Sequence, residues 1–370
     1  MAASAEPCVD GAVILYRLFD VGYEIELEKA LERRLENAPE RNRPARTEAG
    51  AIQIPNPPLT VWLGTEPVEI AGQEREAELS ARLFDFGVVS LRARLRAPRG
   101  ISWNEFCEFG AGVGSHAQLG KRIDAALDSL LERMGTAVIR PGRTPVTEEY
   151  TIFRTDVLMD QDGRRLPVSA LSDDAIARLL LNERRPLAPG ARADLLSPRF
   201  SYYEDDLAVL AWRAALVVEP VAEDTDVQYV LEFANAQLLE LRYYDTLLDA
   251  ELPRLYDEIV SARRGFHVLG RRFSRLLAKL QARVADVTES VERAEHSLKM
   301  TNDVYLARVY SAALEIFRGS AWRRGIDRKI ELIRDAYTML NAESQARRAE
   351  VMELIIIGLI AFEIVMAMVR

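Results

Sequence analysis

The chain has 370 residues, 49% of them hydrophobic and 28% charged, and its 12 Phe, 12 Tyr and 4 Trp supply enough bulk for a core, which argues against global disorder. A length beyond one ordinary core calls for a globular domain plus a second region, and a net charge of -9 with a pI near 5.2 argues against wholesale phosphate binding, so no sequence-specific nucleic-acid partner is expected. Cys8 and Cys107 are too few for a disulfide framework or a four-cysteine zinc site, and Met1 to Asp20 lacks the pattern of a secretory signal.

In chain order, Ala12 to Phe19 reads as a buried strand, followed by an amphipathic helix from about Val21 to Asn37 with Ile25, Leu27, Leu31 and Leu35 as its apolar positions. Residues 38–58 carry Pro39, Pro44, Pro55, Pro57 and Pro58 with Arg41, Arg43 and Arg46 between them, and read as an exposed loop. A short strand at Leu59 to Leu63 follows. Ala77 to Phe84 and Val88 to Arg96 then pair as a hairpin turned at Asp85-Phe86-Gly87. Trp103 to Met134 is helical, with a glycine-rich break at Gly110 to Gly114. Glu149 to Val157 is a strand, Ser172 caps a helix, and Phe200 to Tyr203 and Leu207 to Val218 are strands on either side of Glu204-Asp205-Asp206.

Beyond Pro220 the period changes. Val227, Leu231, Ala234, Leu238, Leu241, Asp245, Leu248, Leu252, Leu255 and Ile259 alternate by four and three, which is an a/d seam. A second seam runs from Phe273 to Leu298, and a third through Ile326, Ile330, Ile333, Tyr337 and Leu340. The expected architecture is α+β: an N-terminal mixed α/β domain (1–220), long antiparallel helices in a coiled-coil-like bundle (221–350), and a C-terminal membrane anchor (351–370).

The anchor rests on Leu354, Ile355, Ile356, Ile357, Leu359, Ile360, Phe362, Ile364 and Val365. As a helix, Val351 to Val369 spans about 28 Å against a hydrocarbon core of about 30 Å. Glu353 lies at the entry, whereas Glu363 inside would cost roughly 2–3 kcal/mol if ionised and unpaired. Arg347 and Arg348 precede the run, so a single-pass transmembrane helix would leave the bulk of the chain cytoplasmic. The rival reading is a helix buried in a soluble structural oligomer.

No residue set points to catalysis, a metal or a cofactor. Asp85-Phe86-Gly87 lacks the glycine loop and catalytic-loop motif of a kinase and reads as a turn, and His116, His267 and His296 are isolated. Gly110, Gly112 and Gly114 could cradle an anion before a helix, the basis of an alternative reading as a phosphate- or nucleotide-binding enzyme, although the spacing fits neither nucleotide fingerprint. Arg263, Arg264, Arg271, Arg272 and Arg275 form a basic cluster able to dock an acidic partner. The partners expected are the membrane, through the C-terminal helix, and an unidentified protein or a second copy, through the long helices.

Arg82-Leu83-Phe84-Asp85-Phe86-Gly87-Val88-Val89, the block Tyr202 to Pro220, Leu238-Leu239-Glu240-Leu241-Arg242-Tyr243-Tyr244-Asp245 and the tail Glu353 to Glu363 resemble the YagE-type proteins related to the "required for meiotic nuclear division" proteins. The resemblance implies an uncharacterised domain, long helices and a C-terminal anchor. In mitochondrial relatives it implies an inner-membrane protein that supports translation by tethering ribosomes, and it transfers no active-site residues. Without an Arg/Ser-rich transit peptide the chain reads as bacterial, a membrane-tethered scaffold that raises the effective concentration of its α+β domain near a membrane-bound partner.

Overall fold

The computed structural model describes residues 6–33, 40–41, 56–70, 72–220, 225–264 and 304–369, with isolated positions 285 and 288. Chain contacts divide it into two compact units, the first drawn from Met1–Tyr243 and Ser290–Ser320, the second from Tyr244–Glu289 and Ala321–Arg370. The division falls inside a helix, at Tyr243.

Unit one is built on a mixed sheet. Its strands are β1 (Cys8–Asp20), β3 (Glu40–Arg41), β4 (Leu59–Ile70), β5 (Gln73–Leu83), β6 (Val88–Arg96), β7 (Ile101–Ser102), β9 (Thr147–Met159), β10 (Arg199–Phe200), β11 (Leu207–Leu210) and β12 (Ala214–Val218). Their order is β10-β11-β12-β9-β1-β6-β5-β4-β3, with β7 hydrogen-bonded to β1 off that path. Only the pairing of β12 with β9 is parallel; the others are antiparallel. The short β2 (Gly22–Ile25) and β8 (Val138–Pro141) pair separately.

Alternation explains both faces. Val13, Leu79, Ala81, Val89, Leu91, Leu95 and Phe153 are buried on the face that meets α2 (Trp103–Gly114), α3 (Ala117–Met134) and α4 (Asp173–Leu181). Trp103, Phe106 and Phe153 stack there in sequence, with ring centroids 6.1 and 6.3 Å apart. Ser102 and Glu105 close a capping box on α2, and the Ser172 hydroxyl accepts from Ala175 N to start α4 as the sequence indicates. The opposite face is also covered, by the first half of α6 (Asp226–Arg264) and by α7 (Val304–Ile316). Two small helices, α1 (Leu27–Glu32) and α5 (Pro189–Leu195), complete this unit.

The hairpin turn at Asp85-Phe86-Gly87 is present, and Gly87 has φ +93°, which an L side chain resists. The turn docks through Val21 N to Gly87 O (3.0 Å) and Ile25 N to Asp85 O (2.9 Å). That docking corrects the start of the expected helix from Val21 to Asn37: residues 22–25 extend to pair with β8, and among the described residues Leu27–Glu32 turns helical, residues 34–37 lying outside them. Pairing to a distant strand outweighs a weak local period.

The seam from Val227 also reads differently in three dimensions. The first half of α6 is not one side of a stalk, because the positions between the seam residues, among them Tyr229, Val230, Phe233, Ala236 and Leu239, are buried too. Leu207 to Val218 is two strands, not one, turning at Trp212 and Arg213. The seam from Phe273 to Leu298 lies outside the described residues apart from two isolated positions.

In unit two, α8 (Gly319–Val369) runs for 51 residues, and Ile326, Ile330 and Ile333 of the third expected seam are buried. Asp245 is polar at a seam position because the Lys329 ammonium meets Asp245 and Asp249, each at 2.7 Å. The expected single-pass span is not found: among the described residues no helix is long and apolar enough to cross a membrane.

Candidate functional site

Three features of the described chain go beyond packing. The first lies between the sheet and α6. Pairing registers place Arg82, Ser90, Leu18 and Glu148 in one row across β5, β6, β1 and β9. Arg82 is ion-paired with Glu232 of α6, and Glu148 with Arg242 of α6. Three inter-strand steps span about 14 Å, and ten helical residues, from 232 to 242, span about 15 Å. The two pairs therefore match a helix laid across these strands, and their opposite polarity fixes its direction. The Arg82 guanidinium also sits 4.9 Å from the Tyr229 ring centroid, and Phe233 packs on Phe84 and Phe86 at 5.7 and 5.9 Å. Burial pushes the Glu148 carboxyl above its ordinary range, against the opposing pull of Arg242. Arg82, Glu232, Glu148 and Arg242 are each spent on a partner within the fold, so this layer positions α6.

The second feature is a strip of exposed aromatics interleaved with arginines. Tyr202, Tyr203 and Trp212 are 53%, 58% and 50% exposed. Tyr202 packs edge-on against Tyr203 (4.9 Å) and Tyr305 (5.4 Å), Arg308 lies over Phe200 (5.9 Å), and Arg318 over Trp212 (5.9 Å). The acidic triplet beside them is a turn: Asp206 accepts from Tyr202 N at 2.7 Å and Tyr203 N at 3.1 Å.

The third is the end of α8. All residues from Met352 to Met366 are exposed. Leu354, Ile355, Ile356, Ile357, Leu359, Ile360, Phe362, Ile364 and Val365 are each between 53% and 68% exposed. Four consecutive apolar residues, Leu354 to Ile357, point to every side of a helix at about 100° per residue, so this segment is apolar all round rather than amphipathic.

The remaining expected sites fall elsewhere. Gly110, Gly112 and Gly114 do not break the helix but lie within its last turns, and the break comes at Ser115-His116. A Cβ at Gly110 would run into the Phe153 ring, and one at Gly112 would crowd Ile70, so packing explains two of the three glycines. The glycines therefore supply no free helix N-terminal amides; His116 instead caps α3, its Nδ1 accepting from Leu119 N at 3.1 Å. Arg263 and Arg264 end α6, and Arg271, Arg272 and Arg275 lie outside the described residues. Among the described residues no group of His, Cys, Asp or Glu could hold a metal ion. The sequence reading missed Arg82, because the alternation Glu78, Ser80, Arg82 against Leu79, Ala81, Leu83 looks like a strand with one wet face.

The comparisons correct the resemblance drawn from the sequence. The family whose description reads "Uncharacterized protein MJ0711, N-terminal domain" matches residues 10–225, and the YagE-type assignment, with its mitochondrial ribosome-tethering relatives, does not stand. The chain is similar to the "Uncharacterized protein MJ0711" of Methanocaldococcus jannaschii, 23% identical over 223 residues, which are 60% of this chain and 66% of that protein. No solved structure matches. Because the family match spans residues 10–225 of 370, more than half of the chain, this protein belongs to the MJ0711 N-terminal domain family.

Proposed function

We propose that the protein is a non-catalytic, membrane-tethered scaffold, held at a lipid surface by the end of α8 and presenting its sheet domain to a partner protein. One observation carries this reading: the helix from Met352 to Met366 exposes apolar side chains on every side. Water does not favour such a surface, and a helix apolar all round is ordinarily enclosed by protein or by lipid. Leu354 to Met366 is about 18 Å of helix, and Ala367, Met368 and Val369 continue the apolar sequence. Arg347 and Arg348 before the run favour an orientation with the sheet domain on the cytoplasmic side. The aromatic strip supports the scaffold half of the reading, since Tyr, Trp and Arg are the residues that dominate binding energy at protein interfaces.

The test is alkaline carbonate washing of membranes from cells that express the full chain or the full chain with Ile356→Lys and Ile360→Lys. Each charge buried in the apolar layer costs up to roughly 2.5–3.5 kcal/mol, so the unaltered chain stays in the washed membrane and the variant is released. Release of both sinks the tether and favours the rival reading, in which the helix end is the packing surface of a soluble oligomer.

A further inference from the structure

Between the first turn of α2 and the end of α4, unit one holds a cleft of about 380 Å³ that neither the tether nor the aromatic strip uses. Small-molecule sites run from about 300 to 1,000 Å³, so this one admits a compact ligand. Its apolar lining is Pro7, Pro186 and Leu187, together with the edge of the buried Trp103. Trp103 is fixed in place: its Nε1 donates to Ala175 O at 3.0 Å and its ring packs on Phe106. Asn182 closes α4 in the left-handed conformation, which sends Glu183 to Leu187 along the rim.

The charges on the cleft divide into two groups. Glu6 accepts from Asn104 N at 2.6 Å, Asp174 from Arg192 at 2.7 Å, and Arg178 donates to the Asn104 amide oxygen. Those three are answered within the fold. Glu183, Arg184 and Arg185 are exposed, and none has a hydrogen bond or ion pair among the described residues. Arg184 and Arg185 are the cations of the lining left without a partner among the described residues, and a guanidinium fork suits a planar carboxylate.

We propose that this cleft binds a small organic carboxylate, its compact apolar body against Pro7, Pro186 and Leu187 and its carboxylate on Arg184 and Arg185. The site is separate from the tether, and its failure would leave the membrane reading untouched.

The probe is 4-fluorobenzoate, titrated into the full-length protein at neutral pH and followed by fluorine NMR. Inorganic phosphate supplies the anion without the body, and 4-fluorobenzyl alcohol the body without the anion. Expected is saturable binding of 4-fluorobenzoate, at least about tenfold tighter than either control, a difference of roughly 1.4 kcal/mol. Arg184→Glu with Arg185→Glu, both at exposed positions, weakens it by a similar factor. Leu187→Trp, which fills the cleft without touching a charge, does the same. The proposal is overturned if 4-fluorobenzoate does not saturate, if phosphate binds as tightly (surface charge alone), if the alcohol binds as tightly (apolar partition alone), or if either variant binds as the unaltered chain does.

Discussion

The first half of α6 and the end of α8 are both helices with apolar residues on every side, and they meet opposite fates. From Val227 to Glu240 every residue is buried, including Gln228, Glu232, Asn235, Gln237 and Glu240; from Met352 to Met366 every residue is exposed, including Glu353 and Glu363. The polar residues separate the two cases. Along α6 three of them are answered inside unit one, Glu232 by Arg82, Gln237 by the Tyr310 hydroxyl, and the Asn235 amide by Leu231 O at 2.8 Å, whereas the Gln228 side chain is buried without a hydrogen-bond partner among the described residues. A helix that carries its own polar partners has been fitted to a protein environment. The α8 end carries two glutamates in an otherwise apolar run, and from Met352 to Met366 no side chain is covered by the described residues.

The largest effect should come from breaking the buried pair. Arg82→Met leaves the Glu232 carboxylate, 1% exposed at its side chain, without its ion, and should cost about 3–5 kcal/mol in urea unfolding of the full-length protein. Arg82→Met combined with Glu232→Leu should cost far less, because no charge is then stranded. A single variant as stable as the unaltered chain would mean that water reaches the pair, and the contrast with α8 would lose its basis. Next in size, Phe233→Ala removes the ring that packs on Phe84, Phe86 and Tyr310 and should cost about 3–4 kcal/mol. Its counterpart, Phe362→Ala, should change unfolding of unit one by less than about 0.5 kcal/mol. Equal effects from the two would erase the distinction between them.

How much of this was legible follows the range of each interaction. The β5–β6 hairpin, β1, β9 and the Ser172 cap could be read because alternation, turn chemistry and capping act over a few residues. The sense of α6 could not: Arg82 and Glu232 are 150 residues apart, and an arginine in an alternating strand looks like a solvent-facing one. The heptad spacing from Val227 was real but ambiguous, since a seam and a fully enclosed helix share the same a/d positions and differ in the positions between. The family was misread for a related reason: short blocks such as Arg82 to Val89 describe a common hairpin more than they describe a lineage. Of the three candidate features, only the α8 end was visible beforehand. Tyr202 and Tyr203 read as strand residues and Arg82 as a solvent-facing one, and the cleft, outside those three, assembles Pro7, Trp103 and Leu187 from three separated segments.

A smaller effect sharpens the comparison at the membrane side. Glu363→Leu should strengthen partition of the full-length protein into vesicles by roughly 2–3 kcal/mol, if the α8 end enters the apolar layer. An unchanged vesicle titration would place that carboxylate outside the layer or against a partner, and the tether would have to rest on fewer residues.

Asp20 offers a test of another kind, a buried carboxyl answered by a backbone amide rather than a guanidinium. Its Oδ1 accepts from Gly22 N at 3.3 Å, and burial pushes its pKa up to about 7, only partly offset by that hydrogen bond. In the unfolded chain the same group ionises near its ordinary value of about 3.9. Between about pH 4 and pH 7 the folded protein therefore holds a proton that the unfolded chain has released. The stability linked to Asp20 is present in full below about pH 4 and is lost as the pH rises through about 7. Asp20→Asn keeps an oxygen acceptor for Gly22 but has no proton to lose. Unfolding measured from about pH 4.5 to about pH 8 should thus fall more steeply for the unaltered protein than for the variant, with the variant gaining most at the alkaline end. Parallel curves would mean that Asp20 stays ionised in the folded state, and that burial at the end of β1 is no harsher to a carboxylate than water is.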